Sequence, residues 1–113
     1  MISPRISIDG KEIGYIGYVA NETDVDKNEI PSVYKDVEVQ KVKPNTKIEL
    51  HYVDEPEKIL LKQWTDGEFT SEEELSGYHF LAPNEEGTYT YNISSSWNYK
   101  TASSVVIVLV VEK

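Results

Sequence analysis

From Tyr89 to Trp97 the chain alternates strictly, with Tyr89, Tyr91, Ile93, Ser95 and Trp97 on one side and Thr90, Asn92, Ser94 and Ser96 on the other. A two-residue period predicts a β-strand with one buried face and one wet face. Pro83 and Gly87 mark the turn that feeds it. Trp97-Asn98-Tyr99-Lys100 reads as the turn after it, and Thr101 to Glu112 as the strand that returns.

The same reasoning runs along the rest of the chain. Asp9-Gly10 stands between two alternating runs, which is a hairpin signal because both residues of such a turn take positive φ. A two-residue turn there sets Ile6 opposite Ile13 and puts Ile6, Ile8, Ile13 and Tyr15 on one face. Periodicity is lost from Tyr18 to Pro31, where an acidic stretch predicts a long surface loop. A short edge strand is expected from Tyr34 to Gln40, with a turn at Pro44-Asn45. Thr46 to Val53 is a cleaner strand: Ile48, Leu50 and Tyr52 inward, Lys47, Glu49 and His51 outward. Glu57 to Trp64 follows, and setting Trp64 beside Leu61 requires a bulge because their parities differ. Thr65-Asp66-Gly67 is a turn, and the capping-box spacing of Ser71-Glu72-Glu73-Glu74 predicts one turn of helix. Ser76 to Ala82 is a strand with Tyr78, Phe80 and Ala82 on one side.

The last strand is apolar on both sides, Val105, Ile107, Leu109 and Val111 alternating with Val106, Val108 and Val110. Such a strand has both faces covered. We expect a loop, rather than a partner, over its outer side. The tally is about eight short strands with turn signals every ~8–12 residues and no amphipathic helix, which predicts an antiparallel sandwich, with a closed barrel as the second architecture. The whole chain, 1–113, reads as one domain.

Composition narrows the setting. A formal charge of −9 argues against nucleic acid and against anionic lipid held by bulk charge. There is no Cys to form a disulfide or ligate metal. No run approaches ~18 apolar residues, the length a membrane-spanning helix needs. Met1-Ile2-Ser3-Pro4 leads almost directly into a strand pattern, so no leader is expected unless one was trimmed.

Glu85-Glu86-Gly87-Thr88-Tyr89-Thr90-Tyr91 resembles the start of strand F in immunoglobulin-like domains, where Gly-x-Tyr places a tyrosine that ties a corner with its hydroxyl. By this resemblance Tyr89 is the corner residue and Tyr91 takes the position of the second Cys of a true immunoglobulin domain. The wider order also matters: Ser7-Ile8-Asp9-Gly10-Lys11-Glu12-Ile13, Gly17-Tyr18, Pro44 to Ile48, Phe80-Leu81-Ala82-Pro83, Trp97 and the apolar final strand. From about Ile6 to Glu112 the chain resembles small immunoglobulin-like domains of Gram-positive cell-surface lipoproteins. It departs from them in showing no lipobox Cys or leader and in lacking the Cys pair that some members carry just after Gly17-Tyr18. The resemblance implies an all-β, antiparallel immunoglobulin-like β-sandwich of about 7–8 strands. It also implies an extracytoplasmic setting, tethered through a lipid anchor outside this chain, and it carries over no catalytic residue.

Candidate chemistry is sparse. Asp24-x-Asp26-x-Asn28 has the spacing of the first ligands of a Ca²⁺ loop, yet Glu29 and Lys35 stand where the turn Gly and the bidentate Glu belong, so a solvated acidic loop is expected. His51 and His79 fall on outward faces without an acid or nucleophile at a useful spacing. Ser94, Ser95 and Ser96 form no nucleophile elbow. Glu72 to Glu74 and Glu85-Glu86 sit in expected turns, not in a cleft that raises a carboxyl pKa. No cofactor and no catalysis are expected. Trp64, Tyr78, Trp97 and Tyr99 are the candidate contact residues, with Tyr99 the exposed one and Trp97 in phase with the core. The expected role is a monomeric, non-catalytic domain that offers end loops to a protein, glycan or envelope component. The alternatives are a peptidase inhibitor of the same build and a structural spacer.

Overall fold

The computed structural model describes residues 5–13, 16–17, 38–53, 55–97 and 102–112. Among these there are ten strands and no helix. They are β1 (Arg5–Ile8), β2 (Lys11–Ile13), β3 (Ile16–Gly17), β4 (Val39–Val42) and β5 (Lys47–His51). They continue with β6 (Lys58–Thr65), β7 (Glu68–Glu74), β8 (His79–Leu81), β9 (Gly87–Ser96) and β10 (Ala102–Val111). One sheet has the order β2-β1-β5-β8; the other runs β3-β10-β9-β6-β7, with β4 also on β10. The inner faces of both sheets meet in a single apolar cluster, a sandwich-like arrangement.

The hairpin β1–β2 forms as its turn chemistry requires. Asp9 and Gly10 have φ of 52° and 81°, and Ile6 pairs with Ile13. Asp66 and Gly67 repeat the device between β6 and β7, with φ of 49° and 90°. Strand β5 keeps the expected alternation, with Ile48 and Leu50 buried and Lys47 and His51 exposed. Facing them, Tyr91, Ile93, Val105, Ile107 and Leu109 are each at most 1% exposed. Full burial of one such side chain contributes about 1.5–3 kcal/mol.

Several expectations need correction. Ser71-Glu72-Glu73-Glu74 is strand, not helix: it belongs to β7, whose backbone pairs with β6 from Glu68 to Glu74. All seven β7 residues are exposed, and among the described residues β7 ends its sheet, so its carboxylates line an edge where charge blocks pairing with another chain. The expected wet face of β9 is not wet in its middle, since Thr90 and Asn92 are 3% and 6% exposed. The same side of β10 holds Val106 and Val108 at 0% and 3%. The cover over this outer face belongs to the chain itself. The sandwich is also not wholly antiparallel, because β4 runs parallel to β10. With β9 along one edge of β10, β3 and β4 share the other, β3 at Val105–Val106 and β4 at Val108–Val111.

Strand limits shift modestly. The edge strand expected over Tyr34 to Gln40 is described only as Val39–Val42, and β8 spans only His79–Leu81, although the Tyr78 carbonyl and the Ala82 amide on its flanks still bond to Leu50 and Thr46. Tyr15, the acidic stretch of Asn21 to Glu29 and the turn residues Asn98 to Lys100 lie outside the described residues.

Candidate recognition surface

Three strand connections meet at one end of the molecule. They leave β5 for β6, β7 for β8 and β9 for β10. Each contributes one ring to a shared aromatic cluster. Tyr52 follows the last residue of β5, Tyr78 precedes β8, and Trp97 follows β9. Tyr52 is the hub: its ring centroid lies 5.9 Å from that of Tyr78 and 5.9 Å from that of Trp97, the latter in an edge-on contact. The Tyr52 hydroxyl also shares a 2.5 Å hydrogen bond with the Ser95 hydroxyl on β9. Ser95 is 1% exposed, so the hub is anchored to the floor between the sheets.

Backbone bonds fix the surrounding chain. The Leu50 amide donates to the Tyr78 carbonyl at 2.8 Å, and the Glu57 amide donates to the Ser96 carbonyl at 2.8 Å. These hold the end loops on their strands, so the rings sit on a rigid base. Tyr78 is 40% exposed, Tyr52 and Trp97 are half-buried, and Val53 beside the hub is 95% exposed. The acidic side chains of Glu55, Glu57 and Glu74 at this end are exposed. Glu74 is paired with Lys58 at 4.0 Å. The end therefore offers solvent-facing rings among carboxylates.

The structure thus brings two of the four candidate contact residues together, Tyr78 and Trp97. It sends Trp64 elsewhere. Trp64 pairs with Thr90, not on the side of Leu61 but on the covered outer face, and is 2% exposed. The irregularity at this point lies in the pairing of β6 with β7, which skips Thr70 and sets Phe69 opposite Trp64, with ring centroids 5.7 Å apart. Tyr99 lies outside the described residues, as do Asp24, Asp26 and Asn28. Among the described residues no group of three His, Cys, Asp or Glu side chains is arranged to hold a metal ion. His51 and His79 are exposed, and His51 Nε2 meets the Ser7 hydroxyl at 2.9 Å. A cleft of about 360 Å³ opens between the edges β2 and β4, lined in part by Lys11, Glu12, Glu38 and Lys41 above Ile13 and Val42. Among the described residues its lining has no nucleophile paired with a base.

Sequence reasoning missed Tyr52 as the hub. Its parity assigns it to the core with Ile48 and Leu50, and that assignment is correct in direction. The signal that marks it as an end residue is the turn-forming run Asp54-Glu55-Pro56 that follows it. No protein-family model, curated protein or solved structure matches this chain.

Proposed function

We propose that this chain is an immunoglobulin-like β-sandwich acting as a non-catalytic binding module, with the end that carries Tyr52, Tyr78 and Trp97 as its recognition surface. One observation carries the reading: three separate connections each place a ring in one solvent-facing cluster. Rings on a rigid base give large contact area at little cost in side-chain entropy. The immunoglobulin-like build is supported by the β1-β5-β8 and β10-β9-β6-β7 strand orders and by the parallel β4–β10 pair. It is supported also by the Tyr89 hydroxyl, which donates to the Glu85 carbonyl at 2.8 Å as a corner tyrosine does. The bacterial cell-surface setting, with a lipid anchor beyond this chain, rests on the resemblance across Ile6 to Glu112 and is part of the same proposal.

The test passes Gram-positive envelope extract over immobilised protein. A component retained by the wild type is expected to be lost from Tyr78→Ser and kept by Val39→Ser, a change at an equally exposed apolar residue on β4. Equal retention by both variants removes the end surface from consideration. Separately, fractionation of cells carrying the full gene should place the product on the outer side of the membrane; recovery in the cytosol overturns the surface setting.

A further inference from the structure

Resting on that reading of the aromatic end, we propose that its ligand is an extended basic peptide segment of a partner protein, seated with Lys or Arg side chains over the Tyr78 and Trp97 rings. The rings make the surface; the charges around them select the occupant. Ring faces carry negative quadrupole potential and attract ammonium and guanidinium groups. Glu57, whose amide bonds the Ser96 carbonyl next to Trp97, Glu55 two residues before it, and Glu74, level with Leu60 and Ser94, are all exposed at this end. The nearby cation Lys58 is taken up by Glu74. Among the described residues Glu55 and Glu57 make no ion pair. Two independent chemistries therefore favour positive charge at one place, and the −9 charge of the whole chain extends that preference to long range. A neutral sugar would stack on the rings and donate hydroxyl hydrogen bonds to the carboxylates but leave their charge uncompensated, and an anionic polymer would be repelled.

The shape of the cluster favours a chain over a small amine. Tyr52 lies in direct ring contact with both neighbours at 5.9 Å, so among the described residues no enclosed cage opens between these rings. What remains is a ledge made by Tyr78, Tyr52 and Trp97. Alternate side chains of an extended segment can reach Tyr78, Trp97 and the two glutamates together.

Isothermal titration with a Lys/Arg-rich decapeptide tests this, against a Gln/Ser decapeptide of equal length and an uncharged chito-oligosaccharide. The basic peptide is expected to bind. Tyr78→Ser and the E55Q/E57Q pair should each weaken it by about fivefold or more. Raising NaCl from about 0.05 M to about 0.5 M should weaken it further. The pair E68Q/E86Q removes the same charge at the opposite end and should leave affinity unchanged. Equal weakening by both charge pairs means bulk attraction and overturns the proposal, as does absence of binding by the basic peptide. Binding of the sugar or neutral peptide, lost on Tyr78→Ser and indifferent to charge, overturns the basic ligand while leaving the aromatic surface in place.

Discussion

The Tyr89 hydroxyl reaches back four residues to donate a 2.8 Å hydrogen bond to the Glu85 carbonyl. The bond ties the start of β9 to the connection that enters it, and Tyr89 itself is 4% exposed. Tyr89→Phe removes only the hydroxyl and leaves a carbonyl partly desolvated. The expected loss is about 1 kcal/mol, read as a lower urea midpoint at unchanged m-value. An unchanged midpoint means the corner contributes nothing.

Two residues on, the opposite result is expected. The Tyr91 hydroxyl is buried without a hydrogen-bond partner among the described residues, with its ring packed 5.0 Å from that of Phe80. Removing an unsatisfied buried group recovers its desolvation cost. Tyr91→Phe should therefore be neutral or more stable by up to about 1 kcal/mol. A loss comparable to that of Tyr89→Phe would reveal a partner for the hydroxyl.

Both tyrosines also set an alkaline limit. Burial is the largest cause raising each pKa above the ordinary 10.0; Glu85 and Asp66 add to it for Tyr89, and Tyr89 and Glu73 for Tyr91. Above pH 10 the unfolded chain releases phenolic protons that the folded chain still holds. The unfolded state then binds fewer protons, so stability falls as pH rises. Below pH 10 both states hold these protons and the two residues contribute no slope. Urea midpoints from about pH 8 to about pH 11 should fall in the wild type and fall less steeply in Tyr91→Phe. Parallel curves for the two proteins rule out the assignment to Tyr91.

Neighbours on β10 test the covered outer side. Val105 points into the core and Val106 points away from it, yet both are 0% exposed. Val105→Ala and Val106→Ala should each cost about 2–3 kcal/mol in urea unfolding. A Val106→Ala cost below about 0.5 kcal/mol, typical of a surface site, contradicts a covered face.

Local features of this chain are legible from its residues, and features made by closure are not. Asp9-Gly10 dictates a tight turn, and the turn plus the period places Ile6 against Ile13 without further information. The pattern of β5 is read in the same way. Thr90 and Asn92 defeat the reading because a polar residue under a cover has the same letter as one in water. The glutamates of β7 fit a capping box or an edge strand equally well, and the backbone pairing with β6, a long-range contact, decides it. The aromatic end is half legible: Tyr78 and Trp97 stand out as large rings near turns. Their meeting through Tyr52 depends on two sheets closing face to face, which no local spacing encodes.

The sharing of one edge of β10 by β3 and β4 bears on how the polypeptide matures. Val42 finds its neighbour Val111 only near the end of the chain. During synthesis β1, β2 and β5 can pair among themselves, whereas the edges of β3 and β4 that join β10 wait until that strand emerges. Such long-range docking slows the search and lengthens exposure of unpaired strands to aggregation and to chaperones.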